Sequence, residues 1–246
     1  MIDIVIPYMK GPDNGFELRY ALRSIAKNFK LPYRVWLMGE KPSWCIRVQH
    51  VHVDRPEQKP FRAFSDTTNK LKTALEMPGM GRKIMYMYDD IYFTQPTYKI
   101  PQTYYLQNQA DIEPSKWFAK SKAGERWIQL SMKTFLTLKH HKKSLFNCET
   151  HLPRIYDRAK LHRLMTQFEM VESPMQIASF YYNWYGANFN VMDDSVKFGV
   201  YKHMSIEEIV EGAKKAQFMN HSAMQFNTRM KDALAQLFPK KSPHEK

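Results

Sequence analysis

The sequence predicts an α/β fold: a mostly parallel sheet flanked by helices over residues 1–100, with a mainly helical half over residues 101–246 completing one domain. Three observations carry this expectation. Through the first hundred residues, short β-rich apolar runs alternate with stretches of helical spacing, the order that a parallel sheet with helical crossovers requires. Beyond them, apolar residues recur at intervals of three and four. A hydrophobic content of 43% in 246 residues suffices to bury a substantial core.

The elements follow in order. Ile2 to Tyr8 is β-rich and mostly apolar, as befits a strand covered on both faces. Lys10-Gly11-Pro12-Asp13-Asn14-Gly15 then has the chemistry of a loop. Leu18, Leu22, Ile25 and Phe29 have the spacing of one helix face, with Arg19 and Arg23 four apart on an adjoining face. Tyr33 to Met38 and Ile46 to Val53 read as strands on either side of a Pro42-Ser43-Trp44 turn. A helix from Thr67 to Met77 is broken by Pro78-Gly79 before a strand from Arg82 to Tyr88. In the second half, Leu161-Leu164-Met165-Phe168, Ile206-Ile209-Val210 and Phe226-Met230-Leu234-Leu237 are amphipathic, and Phe180 to Tyr185 reads as a core helix. The basic tail from Lys240 to Lys246 is expected to fray.

The formal charge of +13 creates a field that attracts nucleic acid, an anionic membrane surface or a phosphorylated substrate, without choosing among them. No run approaches the roughly 18 apolar residues of a spanning helix, and no basic segment precedes a long apolar block, so the expected location is the cytoplasm, with peripheral contact at the inner face of the membrane as an option. Cys45 and Cys148 lack the spacing of a zinc site and read as buried thiols. Nucleophile-elbow, phosphate-loop and dinucleotide-binding motifs are all missing, which argues against the corresponding hydrolases, nucleotidases and dehydrogenases.

Among side chains able to do chemistry, Asp89 and Asp90 stand first. Two adjacent carboxylates at the end of a buried strand repel each other unless a cation lies against them, and Mg²⁺ or Mn²⁺ bound to a diphosphate is a natural occupant. The competing reading is a turn in which Asp side chains cap backbone amides. Arg19 and Arg23 can grip phosphate oxygens, or can pair with a nearby acid such as Glu17. His151 can take a proton from a hydroxyl near pH 7, although a lone histidine is commonly structural.

Taken together, four segments resemble the characteristic regions of the Stealth family of hexose-1-phosphate transferases. The first is similar over Ile2 to Asp13. The second runs from Glu17-Leu18-Arg19-Tyr20-Ala21-Leu22-Arg23 through Pro42-Ser43-Trp44 to Tyr88-Asp89-Asp90. The third covers His151-Leu152-Pro153-Arg154, Met175-Gln176 and the aromatic helix. The fourth closes on Phe238-Pro239-Lys240-Lys241, with Asn220-His221 where the family carries Asn-Asp. The resemblance implies a GT-A-like nucleotide-sugar transferase that moves a sugar-1-phosphate from a UDP-sugar to a glycan or polysaccharide hydroxyl and releases UMP. It also implies Asp3, Asp89, Asp90 and His151 as catalytic groups, Asp89 and Asp90 on a Mg²⁺ or Mn²⁺ ion, and Arg19, Arg23 and Asp13 on the donor. Glycosyl transfer on a similar fold, with UDP as product, is the alternative, and a polyanionic or nucleic-acid acceptor would suit the charge.

Overall fold

The computed structural model describes residues 1–55, 62–104, 122–221 and 225–246. In chain order the elements are β1 (Ile2–Tyr8), α1 (Phe16–Asn28), β2 (Tyr33–Gly39), β3 (Gln49–Val51), α2 (Arg62–Glu76), β4 (Lys83–Tyr86), β5 (Ile91–Phe93), β6 (Thr103–Tyr104), α3 (Lys122–His140) and β7 (Arg154–Asp157). Then come α4 (Arg158–Gln167), α5 (Ile177–Tyr185), β8 (Asn190–Val191), β9 (Lys197–Gly199), α6 (Ile206–Lys215), β10 (Phe218–Asn220) and α7 (Thr228–Leu237).

The main sheet has the order β3-β2-β1-β4-β7. Its first four strands run parallel and β7 runs antiparallel to β4. Because successive strand residues point to opposite faces, β1 feeds two layers at once. Ile4, Ile6 and Tyr8 pack with Leu18, Leu22 and Ile25 of α1. Val5 packs on the other side with Leu71, Ala74 and Leu75 of α2 and with Leu161 and Leu164 of α4. Truncating a fully buried leucine of this kind, such as Leu22, costs about 2–5 kcal/mol. A third cluster joins α6, α7 and the small sheet β5-β10-β9 through Ile209, Ala213, Met219, Met230 and Leu234.

The expected α/β architecture is present, with several differences. The strand expected from Ile46 to Val53 is confined to Gln49–Val51, and the second half, expected to be mainly helical, also carries the short strands β6, β8, β9 and β10. β7, at residues 154–157, belongs to the main sheet, so that sheet draws on both halves of the chain. The strand expected from Arg82 to Tyr88 ends at Tyr86, because the chain turns through Tyr88, Asp89 and Asp90 to leave the main sheet. It re-emerges as β5, antiparallel to β10. The tail does not fray: the backbone of Ile46 donates to His244 O at 2.9 Å, and Lys246 N donates to Trp44 O at 3.0 Å. Ser242 and His244 are buried. Both cysteines are free and buried, as expected. Among the described residues, no helix is long and apolar enough to cross a membrane.

Candidate active site

Parallel sheets gather loops at the carboxyl ends of their strands, and here those loops bring four carboxylates together. β1 leads into the loop that carries Asp13. Asn14 and Gly15 then take left-handed φ of 54° and 74°, turning the chain into α1. A side chain at position 15 would meet the Tyr8 hydroxyl at 2.7 Å, so glycine is required there for space as well as for conformation. The first turn of α1 holds Glu17, where the helix dipole favours negative charge. β4 contributes the turn with Asp89 and Asp90.

From the other half comes His151, just before β7. Its Nε2 lies 3.0 Å from both carboxylate oxygens of Asp90, and its ring stacks on Tyr88 at 5.4 Å with a 12° tilt. Its φ of 51° puts a side-chain-bearing residue in the left-handed region, at a cost of roughly 1–2 kcal/mol. The contacts with Asp90 and Tyr88 hold it there. After β10, His221 approaches Tyr92 Oη at 2.9 Å and Glu17 Oε1 at 3.6 Å.

The charges are unevenly compensated. Burial, together with repulsion from Asp90 and Glu17, pushes the Asp89 carboxyl well above the usual range. Burial and then Asp90 and Asp13 push Glu17 up to about 7. Burial would raise Asp90 as well, but the attraction and hydrogen bonding of His151 outweigh it and hold this group below its ordinary value. Lys197 on β9 is pushed down to about 8, chiefly by burial, while Asp90 acts in the opposite sense. Among the described residues Asp13 Oδ2 is buried without a hydrogen bond.

An excess of hard oxygen donors with unmet bonding capacity fits Mg²⁺ or Mn²⁺. Among the described residues, no three His, Cys, Asp or Glu side chains are arranged to enclose a metal ion. Asp89 and Asp90 would therefore hold such an ion together with oxygens of the substrate, the usual arrangement for Mg²⁺ at phosphates.

Asp13, Asp89, Asp90 and His151 thus come together, while Asp3, Arg19 and Arg23 do not join them. Asp3 lies at the opposite end of β1, where it accepts bonds from Arg34 Nε (2.7 Å), Arg34 Nη2 (3.0 Å), Trp36 Nε1 (2.9 Å) and the Gly81 amide (2.5 Å). Its burial favours the neutral acid, yet the bonds from Arg34, Gly81 and Trp36 win and lower its pKa. It is a structural clasp between β1, β2 and the turn before β4. Arg23 makes a bidentate bond to Glu245, at 2.8 Å from each nitrogen. Arg19 lies 3.7 Å from the same carboxylate and 4.6 Å over the Trp44 ring. The grip expected on phosphate is made on the chain's own C-terminal segment, because a carboxylate offers guanidinium the same paired oxygens.

Glu17, Lys197 and His221 entered the site without a signal of their own in the sequence. Glu17 figured there as a nearby acid for Arg19 and Arg23 and as the first residue of the second region, with no role in the site. The Asn220-His221 departure from the fourth region was the sole local trace of His221.

The structure is similar to the galactosyltransferase LgtC in complex with donor and acceptor sugar analogs, with a TM-score of 0.52 and 11% identity over 98% of both chains. It is equally similar to an active-site mutant of LgtC, with a TM-score of 0.52 and 10% identity over 96% of this chain and 95% of that one. The apo structure of the bifunctional glycosyltransferase WbbM aligns with a TM-score of 0.50 and 9% identity, covering 98% of this chain and 50% of WbbM. No family model matches the chain, that of Stealth proteins included, and no curated protein matches it. At these identities the likeness is one of architecture: this chain has the fold of GT-A glycosyltransferases.

Proposed function

We propose that this chain is a nucleotide-sugar-dependent glycosyltransferase acting on a hydroxyl of a glycan or polysaccharide acceptor. The observation that carries the reading is the gathering of Asp13, Glu17, Asp89 and Asp90 at the carboxyl ends of β1 and β4 beside His151. That the fold is shared with an enzyme solved with donor and acceptor sugar analogs supports it.

In the proposed step the acceptor oxygen attacks the anomeric carbon. The bond from that carbon to the diphosphate breaks, leaving its electron pair on the departing oxygen, and the acceptor proton passes to His151. Asp90 orients the imidazole and stabilises its charged form. Asp89 and Asp90 would hold a divalent ion there, with Asp13 and Glu17 adding to the negative field around it. When bound, that ion neutralises charge developing on the diphosphate. Asp89 and Glu17 favour their protonated forms, so a cation there would compete with their protons, and its affinity would rise with pH.

The four-region resemblance and the adjacency of Asp89 and Asp90 favour a second reading, sugar-1-phosphate transfer. There the acceptor oxygen attacks the sugar-linked phosphorus, the diphosphate bridge breaks and UMP departs. Chromatography of the nucleotide released from a panel of UDP-sugars with Mg²⁺ or Mn²⁺ separates the two. UDP is expected. UMP would replace the first reading by the second, and release of neither nucleotide from UDP-sugars, nor of any nucleotide from GDP- and CMP-sugars, would defeat both.

A further inference from the structure

Beside the carboxylates lies a largely buried cation that the proposed chemistry does not use. Lys197 belongs to β9, at the edge of the small sheet, and pairs with Phe218 of β10. β10 in turn pairs with β5, the strand that follows Asp90. The neighbouring Phe198 packs so closely on Gly212 of α6 that a side chain at position 212 would strike its ring, which anchors this edge strand. From there Lys197 Nζ reaches the segment leading into β7 and donates to Thr150 O at 3.0 Å.

The ammonium is poorly compensated in this position. Burial pushes its pKa down to about 8, so it still carries its proton at neutral pH. Asp90 attracts it at longer range, Arg154 repels it, and among the described residues it makes no ion pair. A neutral carbonyl does not make up for the hydration an ammonium loses on burial. Stability therefore gives no reason for a lysine at position 197, and the group it holds supplies one.

That group is the peptide joining Thr150 to His151. Because the peptide is planar, its carbonyl and amide turn as one body, and the direction of Thr150 O is tied to ψ of Thr150 and φ of His151. Thr150 is buried and cannot turn to compensate, since its hydroxyl meets Thr103 Oγ1 at 3.1 Å and also Arg154 Nη2. Fixing Thr150 O thus fixes φ of His151 at 51°, in a region that side-chain-bearing residues avoid. Two cations, Lys197 and Arg154, converge on Thr150 although they repel each other.

We propose that Lys197 is a positioning residue for His151, holding the Thr150 carbonyl so that the imidazole stays against Asp90 and Tyr88. The inference rests on the proposed function for the use of the imidazole as a base, and not for its position.

The test reads position and turnover separately in Lys197→Met and Lys197→Arg. Position is read without substrate, from nuclear Overhauser effects between the ring protons of His151 and Tyr88, whose ring centres lie 5.4 Å apart. In Lys197→Met these signals are expected to weaken. Its kcat should fall on the order of 10²-fold, the effect of displacing a reacting group by about 1 Å. KM for the donor should change little, and the melting temperature should stay level or rise, because an apolar side chain replaces a poorly compensated charge. Lys197→Arg, which keeps a charged donor, should restore the ring signals and most of the turnover. Unchanged ring signals in Lys197→Met would overturn the inference, and a fall in kcat alone would then place the ammonium on the substrate. Equal loss of the signals in both variants, or a lowered melting temperature in Lys197→Met, would overturn it as well. Weakened ring signals in a chain that releases no nucleotide would keep the inference and discard the proposed function. Nucleotide release with unchanged ring signals would do the reverse.

Discussion

At its amino end, β1 presents Asp3, whose carboxylate takes bonds from Arg34, Trp36 and the Gly81 amide. At its carboxyl end it delivers the chain to Asp13 and Glu17, which meet Asp89 and Asp90, with His151 bonded to Asp90 and His221 3.6 Å from Glu17. Both ends are acidic and largely buried. One is saturated, and its acid is held below the ordinary range. The other leaves Asp89 and Glu17 favouring their protons and Asp13 Oδ2 with nothing to bond. The same residue type thus serves stability where the fold supplies counter-charge, and under the proposed function would serve binding where the fold withholds it.

Substitution at the two ends should break this symmetry in opposite directions. The largest effect is expected for Asp89→Asn, which should lower kcat by about 10²–10³ while the melting temperature stays level or rises, because repulsion from Asp90 and Glu17 is removed. Steady-state kinetics alongside calorimetry would check it, and a large loss of stability would place Asp89 with Asp3. Asp3→Asn is expected to cost about 3 kcal/mol, since it strands Arg34 and weakens the bonds to Trp36 and Gly81. That corresponds to roughly 6–12 °C in melting temperature. Loss of turnover without loss of stability in that variant would return Asp3 to the active site.

The smallest effect is a pH slope. Glu17 titrates at about 7 in the folded chain against an ordinary 4.5. Between these values the folded state holds more protons than the unfolded one. Its contribution to stability is therefore fully present below 4.5 and is lost as pH rises through 7. Melting curves of the metal-free protein should show stability declining across that window. Glu17→Gln should flatten the decline, and an undiminished slope in that variant would assign it to other groups.

Much of the frame was legible along the chain. The boundaries of β1 follow from its apolar β-rich run and the loop chemistry at Lys10 to Gly15, and both are local signals. The acidic pair was legible for the same reason: Asp89 and Asp90 are adjacent in sequence and end a strand-like run. Arg19 and Arg23 were misleading in their target and sound in their chemistry. Helical spacing correctly aligned the two guanidinium groups, but their partner, Glu245, lies 222 residues beyond Arg23. Arg154 and Gln176 fell within the third region of the resemblance, yet nothing along the chain showed that Arg154 Nη1 and Gln176 Oε1 would lack a bond among the described residues, because an unmet hydrogen bond is defined only once all neighbours are known.

The sequence by itself determined β1, β2 and the core of β4, the amphipathic helices and their apolar faces, and that a carboxylate pair follows a central strand. Those properties depend on neighbours within a few residues. Only the tertiary structure decided which charges are satisfied. It bonded Asp3 to Arg34 and Arg23 to Glu245, and it set His151 against Asp90 across 61 residues. It also left Asp89 and Glu17 short of counter-charge. Electrostatic energy depends on distance in space and on burial, and neither is a property of any stretch of sequence.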